Sequence, residues 1–468
     1  MRRKILLIPG VLVCLSSCTL APKYTRPEAP IPPDWPSSPA YKGTQSTSGA
    51  PTATELQWRE FFADVRLQWI IETALNNNRD LRVAALNVQR ARALYGIQRA
   101  ELFPAPDAVG SGSKQRVPAD LSATGRATTV EQYSVSLGIA AWEMDFFGRI
   151  QSLKDRALEE YLATEQARRS AQILLVSAIA NAYLTLAADR ENLNLAQSTR
   201  DTQQAAYDLI RRRYELGLAS ELDLRQAQTR VNAAQADVAL YTRLAAQDEN
   251  ALNLLAGSQV SSELLPADLS SIRPPKEISP GLSSQVLLRR PDVLQSENVL
   301  KAANANIGAA RAAFFPRITL TTAVGTASGE LSGLFKSGSG AWSYAPQIVL
   351  PVFDARTWSG LRASKVEREI ALTQYEKAIQ TAFKEVADSL AVRVTVEEQL
   401  SAQQSLVDAT AETYRLANAR YIKGIDSYLG VLDAERSLYA AQQGLVAVRL
   451  ASLANQARLY AVLGGGGD

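Results

Sequence analysis

Hydrophobic positions change period abruptly near residue 316. Gly308-Ala-Ala-Arg-Ala-Ala-Phe-Phe-Pro316 consists of helix formers up to its proline. From there Ile318, Leu320, Thr322 and Val324 take alternate positions and share one face of an extended strand. Proline ends the helix because it lacks an N–H and biases the residue before it to extended geometry. The same helix-to-strand junction occurs earlier as Gly96-Ile-Gln-Arg-Ala-Glu-Leu-Phe-Pro104. Gly96/Gly308, Arg99/Arg311, Phe103/Phe315, Pro104/Pro316 and Asp80/Asp292 share an offset of 212 residues. Arg213-Tyr-Glu-Leu-Gly217 matches Arg420-Tyr-Ile-Lys-Gly424 at an offset of 207, with Ser220/Ser427 and Leu222/Leu429 in register. Two matches in one order at nearly one spacing indicate a duplicated unit.

Each repeat reads as a helix, a strand pair and a long helical hairpin. Leu81, Ala84, Ala85, Val88, Ala91 and Tyr95 share a helical face. In the first strand pair Tyr133, Val135, Leu137 and Ile139 alternate with Ser134, Ser136 and Gly138, and the partner near Asp107–Val117 is weakly patterned. In the second, 316–328 and 342–353, Trp342, Tyr344, Ile348 and Leu350 share a face. Beyond each pair the helix breakers vanish. No proline lies between Ala119 and Leu265 or between Val352 and Asp468, and Gly217 is the only glycine within 150–256. At a 1.5 Å rise the uninterrupted tracts 150–216 and 361–423 predict helices roughly 95–100 Å long, far beyond the usual globular length. The tracts past the glycines, 218–256 and 425–463, are too short to cover such neighbours alone. Stacked end to end with the helices of 79–102 and 284–313 they would suffice. The Pro-rich segment 257–283 would cross where short helices meet, and Gly464-Gly-Gly-Gly467 would end the last one.

Composition then removes whole classes of function. The chain has 468 residues and no histidine, which takes away the commonest general base and metal ligand. Its two cysteines, Cys14 and Cys18, leave no internal disulfide or thiolate metal site. No phosphate-cradling Gly-rich loop with its lysine is present, and Gly338-Ser-Gly340 fits a hairpin loop better than a nucleotide site. Arg2, Arg3 and Lys4 followed by apolar Ile5–Leu15 read as a secretory leader. Without it, 47 Lys and Arg face 47 Asp and Glu, so nothing points to nucleic acid. The leader ends Leu15-Ser-Ser-Cys18, which resembles a bacterial lipobox and implies diacylglycerol and an N-acyl chain on Cys18; the alternative is an ordinary leader with an incidental cysteine. Thr19 is not the aspartate associated with inner-membrane retention.

The resulting organisation is a leader at 1–17, an N-terminal arm at 18–66 and a first helix at 67–104. A strand pair at 105–147, a hairpin at 148–256 and an equatorial segment at 257–283 complete the first repeat. The second has a helix at 284–315, strands at 316–354, a hairpin at 355–463 and a tail at 464–468. The Pro- and Ser-rich arm reads as a tether or a surface-hugging strap. No segment offers the ~20 apolar residues of a membrane helix. The strands offer another way through a bilayer, since a closed barrel satisfies its own backbone. Four strands cannot close one, because the smallest bacterial barrels use about 8, so several chains would share it. An ordinary hairpin core remains the alternative for these strands.

Lipobox, Tyr24-Thr-Arg-Pro27, the duplicated Phe-Pro junction, two long helices, and tips reading Tyr214…Gly217…Asp223 and Tyr421…Gly424…Leu432-Asp433-Ala434 resemble the TolC-type outer-membrane efflux channels, in their OprM-like lipoprotein branch. The likeness covers essentially the whole chain. It implies an α+β membrane protein: a homotrimer sharing a twelve-stranded β-barrel in the outer membrane, continued by a twelve-helix periplasmic α-barrel. It also implies a periplasmic adaptor and an inner-membrane RND-type transporter as partners, outer-membrane lipid around the barrel, and passive conduction of drugs with no enzymatic step. A periplasmic coiled-coil scaffold or adaptor is the rival, but it has no use for two amphipathic strand pairs.

The resemblance places the two helical turns at the periplasmic mouth, with Gly217 and Gly424 as adaptor-docking turns. Tyr421 matches the family tyrosine that bonds an aspartate on the neighbouring turn, here Asp223. Asp433 matches one of two ring-forming aspartates, while Gly430 stands at the other position. Leu429 matches the apolar constriction of the OprM branch, and Asp426 occupies the place of a constriction arginine. Leu429, Asp433, Tyr421 and Asp223 are therefore the expected gate, with helix packing and plain surface carboxylates as the alternative.

Overall fold

The structure, a computed structural model, describes residues 19–41, 51–53, 55–279 and 283–467. Cys18 and the leader lie outside them. In chain order the elements are α1 (Trp58–Phe61), α2 (Val65–Asn77), α3 (Arg79–Ala100), β1 (Pro106–Val117), β2 (Thr128–Glu143), α4 (Arg149–Glu215), α5 (Glu221–Ala256), α6 (Pro291–Ala312), β3 (Arg317–Ser328), β4 (Gly340–Val349), α7 (Ala355–Ile422) and α8 (Tyr428–Val462). They fall into two compact units. One comprises the described residues up to Pro27 with Val88–Thr164 and Ser296–Tyr375; the other comprises Glu28–Asn87, Glu165–Gln295 and Glu376–Asp468.

The first unit holds one antiparallel sheet in the order β1-β2-β3-β4. Register fixes its faces. Leu137 lies opposite both Ala108 and Val324, and Val324 opposite Trp342. Tyr133, Val135, Leu137 and Ile139 therefore share a face with Leu320, Val324, Trp342, Tyr344 and Ile348. The reverse face carries Ser134, Ser136, Gly138, Ala323, Gly325, Ser343 and Ala345. Leu137, Val324, Trp342, Tyr344 and Ile348 are each more than half exposed, so the apolar face has no cover among the described residues. β1 is a regular twelve-residue strand despite its faint pattern. Its contribution to the apolar face is Ala108, Gly110 and Gly112, which hydropathy does not register. A bulge between Ile139 and Trp142, with Ala141 at φ 54°, keeps both side chains on the apolar face although they are three positions apart. Among the described residues β1 and β4 each have a strand on one side only.

α4 and α7 run unbroken for 67 and 68 residues. Along α3 the half-buried positions include Leu81, Ala84, Ala85, Val88, Ala91 and Tyr95, the face its periodicity marks. One sequence expectation needs correction. α4 does contain a stretch apolar enough to cross a membrane, but most of it is buried. Ile173, Val176, Ile179, Tyr183, Leu186 and Ala187 form the core of the second unit, where Phe61 stacks on Tyr460 at 4.0 Å. This is helix packing, not a span.

The first short helix starts at Arg79 as its tract predicts, whereas the second starts at Pro291, later than the tract 284–313 suggests. The chain breaks at Asn78, between α2 and α3, and at Arg290, where a 3-10 turn over Ser284–Arg289 gives way to α6. Pro291 explains the second break, since proline suits the first helical position and no later one. The breaks are repeat mates, and so are the bonds they make. Asn78 Nδ2 donates to the carbonyl of Leu255 at 2.9 Å, and Arg290 Nη1 to that of Val462 at 2.7 Å. Each residue thus satisfies a carbonyl at the end of the helix arriving from the hairpin. This is the end-to-end stacking that the tract lengths require. The fit is close at the first junction, where a Cβ on Gly257 would lie 2.4 Å from the Asn77 carbonyl oxygen.

The arm straps each unit. Within the first, Arg311 donates to the Leu20 carbonyl and Asn304 to that of Pro22, while Tyr24 and Arg26 both bond Glu297. Within the second, Ser284 bonds the Pro32 carbonyl and Trp35 stacks on Phe383 at 5.3 Å.

Candidate functional site

The two hairpin turns have one construction. In the first, Gly217 N donates to Tyr214 O and Leu218 N to Arg213 O; in the second, Gly424 N donates to Tyr421 O and Ile425 N to Arg420 O. Both are Schellman caps, and both glycines sit at φ 71°, where a side chain would be strained. No atom lies within 4 Å of a Cβ built on either glycine, so each turn presents bare backbone to solvent. Around them Leu216, Leu218, Ile422 and Ile425 are all more than half exposed.

Behind the turns the hairpins pack on one another. Ile210, Ala227, Tyr428, Val431 and Leu432 form a buried cluster flanked by Tyr207, Leu224, Tyr414 and Tyr421. Tyr421 lies against Tyr428, with ring centroids 5.1 Å apart. Burial, and after it the charge of Glu435, pushes the Tyr428 hydroxyl above its usual range.

The expected gate residues are brought to this end of the hairpins, but not into the expected bonds. Tyr421 does not bond Asp223. Its hydroxyl accepts from Arg213 Nη1 at 3.0 Å, and the guanidinium carbon lies 5.7 Å from the ring centroid. Asp223 is committed to its own helix: Oδ2 accepts from Ser220 N at 3.1 Å and from Ser220 Oγ at 2.7 Å, and Asp223 N donates back to Ser220 Oγ. That capping box satisfies the first turn of α5 and leaves the carboxylate facing its own backbone.

The second turn differs. Ser427 makes no capping bond, and its box position is Gly430. Leu429 is an apolar side chain left 62% exposed among the described residues. Asp433 pairs with Arg436 at 2.6 Å, so in this chain its carboxylate is not bare. Asp426 pairs with Arg420 across the turn.

Two further polar sites escaped sequence reasoning. Glu297 is buried beneath Tyr24, Arg26 and Lys301. Burial alone would raise its carboxyl, but Arg26 and Lys301 hold it below the usual range. Tyr24-Thr-Arg-Pro27 was the available signal, since a tyrosine and an arginine two residues apart on an extended arm point the same way. Burial first, and then the neighbouring Asp189 carboxyl, pushes Asp248 up to about 6. Among the described residues no cluster could hold a metal ion.

The sequence model for outer membrane efflux proteins matches residues 70–258 and 282–465, two blocks that coincide with the two repeats. The antibiotic efflux pump outer membrane protein ArpC of Pseudomonas putida is 50% identical over 468 residues, covering 100% of this chain and 96% of that protein. The toluene efflux pump outer membrane protein TtgC, also of Pseudomonas putida, shows the same identity and coverage. The open-state crystal structure of the Neisseria gonorrhoeae MtrE outer membrane channel superposes with a TM-score of 0.86 at 36% identity, over 96% of this chain and 98% of that one. With duplicated helical hairpins, a sheet apolar on one face, and these relatives over its full length, the chain belongs to the outer membrane efflux protein family and is an efflux channel of the outer membrane.

Proposed function

We propose that three copies of this chain close one barrel and one helical tunnel, through which solutes handed over by a periplasmic adaptor and an inner-membrane RND-type transporter leave the cell. Conduction is passive and no bond is made or broken. The observation that carries this is the sheet. It has an exposed apolar face, a face of small and polar residues, and an open edge at β1 and at β4. An uncovered apolar sheet with open edges is unstable in water, whereas closure in lipid pairs the edges and covers the face. Three chains supply twelve strands. A coiled-coil scaffold would leave the same face and edges without a use.

At the hairpin turns, Leu429 and Asp433 stand one helical turn apart and would form two rings of three around the axis, the leucines filling a narrow bore. Gly217 and Gly424, bare and ringed by exposed leucine and isoleucine, would receive the adaptor. Diacylglycerol and an N-acyl chain on Cys18 would add a lipid anchor to the barrel. Names of the relatives favour hydrophobic small molecules, antibiotics and toluene among them, as cargo. Single-channel recording of the purified trimer in planar bilayers tests the reading. Leu429→Ala with Asp433→Ala should raise resting conductance while trimers still assemble; unchanged conductance would place the constriction elsewhere.

A further inference from the structure

We infer that Lys114 and Arg116, neighbours on the outward face of β1, bind the phosphorylated headgroup of the glycolipid that forms the outer leaflet of the outer membrane, one site per protomer. The site rests on the shared-barrel reading above and names a lipid that the barrel holds.

Register sets both cations on the lipid face. Gly110 lies opposite Val135, Gly112 opposite Tyr133, Lys114 opposite Glu131 and Arg116 opposite Thr129. Alternate residues of β1 thus continue the apolar face, and that face ends in charge. Depth follows from the same pairing. Helices meet the strand pairs at Ala100, Arg149, Ala312 and Ala355, so the connections 118–127 and 329–339 lie at the opposite end, the cell exterior in an outer-membrane channel with periplasmic helices. Leu320 lies opposite Trp142 and Ser328 opposite Tyr133. At ~3.4 Å per residue and ~40° of tilt, the two aromatic residues stand about 21 Å apart along the membrane normal. Lys114 and Glu131 are one pair further out, at about 26 Å, and the apolar band of such barrels is ~25 Å tall. A cation on the lipid face is costly at mid-bilayer and tolerated at the interface, so these two stand among headgroups.

Glu131 arranges the cluster. Its Oε1 takes Lys114 Nζ at 2.5 Å, and its Oε2 accepts from Tyr133 Oη at 3.1 Å. The Tyr133 ring packs on Gly112, where a Cβ would come within 3.1 Å of the ring's Cδ1, so glycine leaves the tyrosine room to carry its hydroxyl outward. Lys114 stays 67% exposed and keeps two of its three donors. Arg116 is exposed, and among the described residues no carboxylate pairs with it, which leaves its planar fork to a ligand. On alternate residues of one strand the two cations stand ~7 Å apart, a gap that one phosphate group spans. The second repeat shows that the rim does not itself demand charge. The offset that aligns Pro104 with Pro316 aligns Lys114 with Thr326 and Arg116 with Ser328. On this face, at this depth, the neighbour is lipid, and the outer-leaflet glycolipid carries phosphomonoesters on a glucosamine disaccharide. Phospholipid of the inner leaflet meets the helix end of the strands instead.

The test uses full-length trimers reconstituted into phosphatidylethanolamine vesicles doped with diphosphoryl lipid A or, in parallel, with phosphatidylglycerol. Flotation reports insertion, and native mass spectrometry of re-extracted trimers counts the retained dopant. The parent should retain three lipid A molecules per trimer, undisturbed by millimolar inorganic phosphate, and hold phosphatidylglycerol about tenfold more weakly, since a phosphodiester offers less charge and fewer free oxygens. Lys114→Gln with Arg116→Gln should lower lipid A retention at least about tenfold while trimers still float. Arg356→Gln, which removes an exposed cation at the helix end of the strands, should leave retention unchanged. Parent-like retention in the double variant, equal loss in Arg356→Gln, equal binding of phosphatidylglycerol, or displacement by inorganic phosphate overturns the site. If the double variant does not assemble, Arg116→Gln decides alone, and its parent-like retention would also overturn it. Parent trimers that fail to float would sink the barrel reading itself; parent trimers that float yet retain no lipid A sink only the site.

Discussion

Replacing Arg290 by alanine tests the stacking of short helices more sharply than any core substitution. The Arg290 side chain is only 10% exposed and bonds Asp292, Glu385 and the Val462 carbonyl together. Removing one partner of a buried ion pair costs about 3–5 kcal/mol, because the carboxylates left behind lose their compensation. Asp292 and Glu385 keep 41% and 33% exposure and can recover some hydration, which puts the electrostatic part near the low end, ~3 kcal/mol. The orphaned helix-end carbonyl adds about 1 kcal/mol. At the repeat-related junction Asn78→Ala removes an N-cap bond to Leu81 and the bond to the Leu255 carbonyl. Two such neutral bonds amount to about 2 kcal/mol. The assay is thermal unfolding of the detergent-purified trimer, followed by helical circular dichroism at one fixed scan rate. Arg290→Ala should melt several degrees below Asn78→Ala, which in turn melts below the parent. Arg290→Lys should fall between Arg290→Ala and the parent, since an ammonium keeps the charge but cannot fork onto two carboxylates and a carbonyl. If Arg290→Ala melts no lower than Arg356→Ala, whose side chain is 92% exposed, the junction does not hold the helices together.

Three other outcomes follow from separate parts of the molecule. Arginine at Leu137 should cost roughly 2–4 kcal/mol if the residue faces mid-bilayer, while arginine at Ser136 on the reverse face should cost far less; equal tolerance in trimer yield would contradict the facial assignment. Gly424→Asp should abolish drug efflux in cells while trimers still reach the outer membrane, and normal resistance would remove that turn from adaptor docking. Asp248 binds its proton more tightly folded than unfolded, so the stability it contributes is complete below its unfolded pKa of 3.8 and is lost as pH rises toward about 6. Solvent reaches part of this pair and screens it, so the shift in melting temperature should be modest, and Asp248→Asn should flatten it between pH 4 and 6.

The architecture was legible because it is written in periods. The switch from 3.6 to 2 at Pro104 and Pro316, and the long tracts without proline or glycine, depend only on backbone geometry, and the duplication repeats both. The strand faces followed for the same reason. Features that failed to show depend on a single residue or on a distant partner. β1 was faint because Gly110 and Gly112 occupy its apolar positions, and the bulge at Ala141 has no local signature. Pro291 could have marked the break before α6, yet the tract 284–313 ran through it, and Asn78 needed the carbonyl of Leu255, 177 residues away, to reveal its role. At the tip, resemblance aimed Tyr421 at Asp223. Ser220 claims that carboxylate, and Ala219 in the place of Asp426 frees Arg213 to take the tyrosine. One substitution between repeats thus redirected the bond, and only the folded chain shows where a freed guanidinium goes.

Whether three chains meet at Leu429 and close a shared pore there is tested most directly by Leu429→Cys, since the parent's only cysteines are Cys14 and Cys18, both near the N-terminus. Resting conductance of the purified trimer is recorded before oxidation, after it, and after reduction. With a ring of three at the axis, oxidation joins protomers in pairs through residue 429 and lowers conductance, and reduction restores it. Thiols at 429 that never pair, with conductance indifferent to oxidation, would contradict a shared pore closed at that position.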